Sequence, residues 1–301
     1  MPGNVKKNTA LTRMRFTGER EEGARAGVPR DGSLGLDTCQ DGQRAVRALL
    51  ALGLFNRWGL GDARPPAQWG LHTLVAYDIT VSPRHNRLVL VTDVPHNVAP
   101  YLFPSGDGGS SLPGLRLEAF LGRHTYVGRH LPTGAEIVVT GNPSGTWSGH
   151  RRRPPRRGFH EADQPLTAAE TRQLARVPAM SGDAALLLAG LATRIATRDP
   201  QDRWAMGNWF SDPLDRPGRH NDGSAERYGK QLWGAGDRWT LRWNGFPYAR
   251  DIAASLTFPL IGVPGATTHD EGGRLSVRLG RATLTLKGLR APRGGAGRRA
   301  A

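Results

Sequence analysis

Several things are scarce in this chain, and each scarcity excludes a chemistry. One cysteine, Cys39, in 301 residues rules out an internal disulfide framework and any multi-cysteine zinc site. No apolar run approaches the ~18–20 residues that a membrane span needs. The opening, MPGNVKKNTALTRMRF, has no apolar signal-peptide core, so a cytoplasmic location is expected. No Gly-x-Ser-x-Gly elbow is present for a hydrolase nucleophile. The nine histidines contain no i, i+4 pair, and His160-Glu161 lacks the second His of a zincin helix. No cofactor and no metal are expected.

Acids are scarce too, with 26 Asp plus Glu against 41 Lys plus Arg, for a formal charge of +15. Lysine is confined to positions 6, 7, 230 and 287, so nearly all the basic residues are arginine. Thirteen of the fifteen net charges sit in three short acid-free pieces: residues 1–15, residues 151–157 and residues 290–301. Between them the chain is almost neutral. Arg151, Arg152, Arg153, Arg156 and Arg157, broken by two prolines, form the densest of these pieces and are the first candidates for binding an anion. Abundant Gly, Pro and Ala beside Arg favour a GC-rich coding sequence as the origin of the arginine excess.

The N-terminal region contains Leu11 and Met14 at helical spacing, but Gly18, Gly23 and Gly27 argue against one continuous helix. Its Arg13-Met14-Arg15, Thr17-Gly18-Glu19 and Ala24-Arg25-Ala26 pattern resembles the start of actinobacterial proteins without an assigned activity, some of them linked to mobile elements. The resemblance implies no chemistry.

Beyond it, the apolar spacing predicts a helix from Asp37 or Thr38 to about Phe55. Alternating runs at Leu74–Val81 and Leu88–Val94, on either side of a turn-rich hexapeptide, predict a β-hairpin. Further strands are expected at 115–121, 125–127 and 135–140. In the second half, Thr167 and Glu170 form a capping box before one helix. Ser181 introduces a second helix through 184–197, apolar almost all round. Strands are expected at 204–209, 239–244, 274–279 and 282–287.

Three anchors recur in the same order. Val89-x-Val91 stands before Pro95 as Leu241-x-Trp243 stands before Pro247. Pro113-Gly114 and Pro264-Gly265 follow at near-equal spacing. Each half then closes on a strand ending in glycine, Gly141 and Gly288. This suggests an internal duplication forming a pseudo-dimer rather than a repeat array. The expected fold class is α+β: two similar units of mostly antiparallel sheet, with one or two helices each. The divisions are an irregular basic segment (1–36), unit A (37–142), an Arg/Pro linker (143–165), unit B (166–289) and a basic tail (290–301).

Motif tests mostly fail. Gly223 to Gly229-Lys230 has one residue too many for a phosphate-binding loop and Gln after the lysine. Gly59-Leu60-Gly61 lacks the third glycine of a dinucleotide fingerprint. His124 and His130 have only Glu118 and Glu136 near them, so both read as structural. Cys39 reads as a small core residue. The loop carrying Asp212, Asp215, His220, Asp222 and Glu226, with Trp209 before it, offers acid/base or hard-cation chemistry. Five tryptophans fall within residues 204–243, three of them next to arginine. On one strand Trp239, Leu241 and Trp243 share a face, expected to be core, while Arg238, Thr240, Arg242 and Asn244 share the other.

Two functions follow. The first is a non-enzymatic binding or adaptor protein that engages an anionic partner, nucleic acid or an acidic protein, through its basic segments. The alternative is an enzyme with its site between the units, near the 212–226 loop. Neither reading involves a membrane.

Overall fold

The computed structural model describes residues 3–56, 79–106, 111–122, 124–145, 147, 149–150, 152, 158–206, 231–243 and 247–288. It has two five-stranded sheets built on one plan. In the first unit, helix α3 (Asp41–Phe55) precedes the hairpin β1 (Thr80–Arg84) and β2 (Arg87–Val91). Helix α4 (Pro95–Leu102) crosses to a meander of β3 (Leu115–Leu121), β4 (Thr125–His130) and β5 (Glu136–Thr140). The second unit repeats the order with α6 (Gly182–Arg194), β6 (Gln231–Ala235), β7 (Arg238–Arg242), α7 (Ala249–Thr257), β8 (Thr267–Glu271), β9 (Arg274–Leu279) and β10 (Ala282–Lys287). Strand orders are β1-β2-β5-β4-β3 and β6-β7-β10-β9-β8. Each sheet has one parallel pair at its centre, β2 with β5 and β7 with β10, and is otherwise antiparallel. This is the expected α+β fold of two similar units.

The shared anchors have a structural basis, with one adjustment. Gly114 and Gly265 both precede the meander, with φ of 83° and 80°, a left-handed conformation that glycine adopts without a Cβ penalty. The strand match is one residue out of step. Leu90 pairs with Val139 as Leu241 pairs with Leu286, so Leu90 and not Val89 corresponds to Leu241. A one-residue slip exchanges the two faces of a strand, and Val89 lies on the face opposite to Leu241.

One core serves both units. Helix α3 packs along α6, α3 reaches β6 and α6 reaches β1. Apolar residues of both sheets, including Leu88, Ile137, Trp239 and Leu284, join these helices in a single buried cluster. At the end of α3 the buried Asn56 amide donates to the Leu232 carbonyl (2.8 Å) and accepts from the Leu232 N–H (3.1 Å), closing the edge of β6. The face of Trp239, Leu241 and Trp243 is core, as expected. Gly288 permits this: a Cβ there would lie 2.0 Å from the Trp243 ring.

The N-terminal segment is not irregular. It forms α1 (Gly3–Thr17) and α2 (Glu21–Gly27), broken at Gly18, whose φ is 73°. Phe16 enters the core and packs against Trp204 and Phe258 of the second half. Helix α3 starts later than expected, because Asp37 does not cap it. Asp37 instead takes a two-point ion pair from Arg194 at 2.5 and 2.8 Å, and Cys39 lies half-buried before the helix rather than on it. The first hairpin is tighter than expected, with only His85-Asn86 between its strands. Pro83 is tolerated in β1 because an edge strand leaves one side of its backbone unpaired. Of the strand expected at 204–209, the described part makes one bridge, Arg198 to Ala205.

Arginine acts as an internal fork at four fully buried positions: Arg13, Arg47, Arg116 and Arg194. Arg13 pairs with Glu19 and donates to the Leu34 and Pro83 carbonyls, so it is no part of a free basic arm. Arg47 donates to the carbonyls of Leu36, Arg84 and Arg87, and burial pulls its pKa down to about 10. Arg116 of β3 grips Glu170 at 2.8 Å through two nitrogens. Glu170 also accepts from the backbone of Gly114 and completes the Thr167 capping box of α5 (Ala168–Ala175). Planar, bidentate donation of this kind is available to Arg and not to Lys.

This locus contributes to the acid stability. Burial pushes the His130 imidazole down to about 4, against an opposing hydrogen bond to the Pro113 carbonyl. Burial would raise the Glu170 carboxyl, but Arg116 and the backbone N–H groups of Thr167 and Gly114 hold it at about 2. The unfolded chain takes up a proton at His130 near pH 6.5, before the native state does, so acidification favours unfolding from there to pH 4, by about 3 kcal/mol in total. The Glu170 contribution is intact above its unfolded pKa and is lost as pH falls from about 4.5 towards 2. Denaturation followed against pH should show both losses, and His130→Gln should flatten only the upper one. Glu170→Gln should lower stability at neutral pH by about 3–5 kcal/mol, because it leaves the Arg116 charge buried without its counter-ion.

Candidate binding face

Because the two sheets share a plan, their outer faces can be compared row by row. In the first sheet the central row is Ser82, Val89, Val138, Val127 and Ala119, one residue from each strand. In the second sheet the same row is Trp233, Thr240, Thr285, Ser276 and His269. Valines in one sheet stand where hydroxyls stand in the other.

The flanking rows diverge in charge. Towards the first hairpin turn, the first sheet carries Arg84, Arg87, Glu136 and Arg129. Glu136 forms an ion pair with Arg87 at 3.1 Å, and Glu118 pairs with Arg129 at 3.0 Å. Opposite charges on adjacent strands neutralise one another. The equivalent row of the second sheet is Ala235, Arg238, Thr283, Arg278 and Thr267. Arg87 and Arg129 recur as Arg238 and Arg278, whereas Ala235 stands where Arg84 does and Thr283 stands where Glu136 does. The third row of the second sheet adds Arg242 and Lys287, cross-strand neighbours, and Arg274 opposite Glu271. Among the described residues, five cations thus share this face with one carboxylate, Glu271, which binds Arg278 at 2.5 Å.

The coverings differ as well. Over the first sheet, Trp147 packs with Val89, Val127 and Val138. The guanidinium groups of Arg87 and Arg84 lie 5.2 and 5.9 Å from its ring centre. Arg84 donates to the Gly145 carbonyl, and the Arg152 N–H donates to the Phe120 carbonyl. The segment after β5 is thereby strapped across the valines. Among the described residues, the second sheet bounds a groove of about 420 Å³. Its walls include Trp233, Arg238, Arg274 and Arg278, and its floor Thr240, Ser276, Thr283 and Thr285. Short hydroxyl side chains run along the middle and long basic ones along both sides, which gives the face the shape of a trough.

No family model, curated protein or solved structure matches this chain.

The remaining sequence candidates fare unevenly. Arg152 is exposed beside β3. Arg151, Arg153, Arg156 and Arg157 lie outside the described residues, as do Trp209, Asp212, Asp215, His220, Asp222, Glu226 and the tail from 290. His124 and His130 do not converge. His130 is buried between Thr133 and the Pro113 carbonyl, whereas His124 lies on the β3–β4 turn at φ 61°, near His96. No group of three or more metal-ligating side chains occurs among the described residues. The sequence pointed to Arg238, Thr240 and Arg242 as one face. It missed Thr285, Ser276, Arg278 and Lys287, which join that face only through strand register.

Trp147→Ala should therefore destabilise the protein by about 1–3 kcal/mol and raise binding of a hydrophobic dye. Chemical denaturation of the variant beside the parent measures the loss.

Proposed function

We propose that this protein is a non-enzymatic binding module for an anionic polymer, engaged on the outer face of the second sheet. The observation that carries the reading is the divergence between the two sheets. At matching positions one face is apolar, has carboxylates paired to Arg87 and Arg129 and lies under Trp147, whereas the other, among the described residues, is hydroxylated, cationic and bounds a groove. Among the described residues, Arg238, Arg274, Arg278 and Lys287 gather on one face with Glu271 as their one carboxylate, an arrangement in which neighbouring like charges repel. An anionic polymer supplies counter-charge along the whole face. The Arg/Pro block, where Arg152 stands exposed, adds a second source of positive charge.

Binding to inorganic polyphosphate, followed at salt concentrations between about 50 and 200 mM, should weaken steeply with salt. The triple variant Arg238→Gln, Arg278→Gln, Lys287→Gln should bind more weakly and reduce the slope of log K against log salt by about 2–3, near 0.7–0.9 per lost contact. If the triple variant binds like the parent while neutralising residues 151–157 abolishes binding, the sheet face is not the site.

A further inference from the structure

We infer that the polymer is a single-stranded nucleic acid lying across the strands of the second sheet, with a base stacked on Trp233. The inference rests on the anion-binding reading above and adds to it a reason to prefer bases over bare charge. Trp233 sits half-buried on β6, at one end of the hydroxyl row, and forms part of the groove wall. The Lys287 ammonium lies 5.9 Å from its ring centre, so a cation and an aromatic surface act at one point. That pairing suits a nucleotide, whose base has a π-face and whose phosphate carries charge.

The dimensions agree. Residues two apart on a strand are separated by about 7 Å, so the two basic rows stand about 13 Å apart with the hydroxyl row between them. Across five strands the trough runs about 19 Å, enough for a few nucleotides. A single strand laid along the hydroxyls brings its phosphates within reach of both basic rows and its sugars and base edges over Thr240, Thr285 and Ser276. A duplex keeps its bases paired inside the helix and has none to offer Trp233. A polyanion without bases gains nothing from the indole. An acidic protein satisfies the arginines but has no array of flat rings for the trough.

The test uses the full chain and four probes: an oligothymidylate of about ten nucleotides, a duplex of the same length, inorganic polyphosphate and poly-glutamate. Affinities come from competition against the labelled oligothymidylate and from quenching of tryptophan fluorescence. The oligothymidylate should bind at least about tenfold more tightly than the other three. Trp233→Ala should weaken it about 5–150-fold, the range for loss of one base–aromatic stack, and leave polyphosphate binding unchanged. Trp233→Phe should retain most of the affinity, which separates loss of stacking from loss of fold. Equal binding of oligothymidylate and polyphosphate, or equal weakening of both by Trp233→Ala, would overturn the single-strand inference and leave anion binding standing. Tighter binding of duplex or of poly-glutamate would also overturn it, in favour of that partner. Failure to bind any probe would remove both readings.

Discussion

The contact between α3 and α6 is the constraint on which everything else depends. Both helices are apolar around most of their circumference, and α3 buries eleven of its fifteen residues. A helix of that kind has no face to turn to water. Each therefore needs the other unit, and both sheets close over the pair. The cross-unit contacts of α3 with β6 and α6 with β1 follow from the same need. The two halves share a single core, though the topology is that of two.

Buried arginines secure the loops around that body. Arg13, Arg116 and Arg194 each hold a carboxylate and also donate to backbone carbonyls that no strand or helix partner satisfies. An orphan carbonyl in a buried loop costs free energy comparable to a lost hydrogen bond, and a guanidinium with five donors serves several at once. Whatever produced the high arginine content, these three positions use chemistry that lysine lacks. The arginines of the chain thus serve in three settings: inside the fold, on one sheet face, and in the Arg/Pro block and the tail, where most of the net charge lies together with residues 1–15.

Much of this was legible in the sequence where a local pattern sufficed. The strands at 115–121, 274–279 and 282–287 fall where alternation put them, and the Thr167–Glu170 capping box forms as written. Strand β8, Thr-Thr-His-Asp-Glu, carries no apolar residue and so leaves no alternation to read. Strand β6 places Trp233 outward, which breaks the pattern that burial would write. Helix α4 contains Pro100, a residue that argues against a helix until its short length is known. The face itself was visible only in part. Alternation on β7 grouped Arg238 with Thr240 and Arg242, but which residues of β9 and β10 stand beside them depends on register between strands far apart in the chain. Register is a property of the assembled sheet.

Fusing the two units into one chain has a consequence for how such a face can arise. In a dimer of identical subunits, every substitution appears twice. Replacing the valines of the central row by hydroxyls, or removing Glu136 from between its arginines, would then have altered both outer surfaces together, including the one that Trp147 covers. With each half encoded separately, the two surfaces are free to differ, one carrying an apolar row beneath a strap and the other a hydroxyl row between cations. The helices at the shared core hold both in place whichever surface changes.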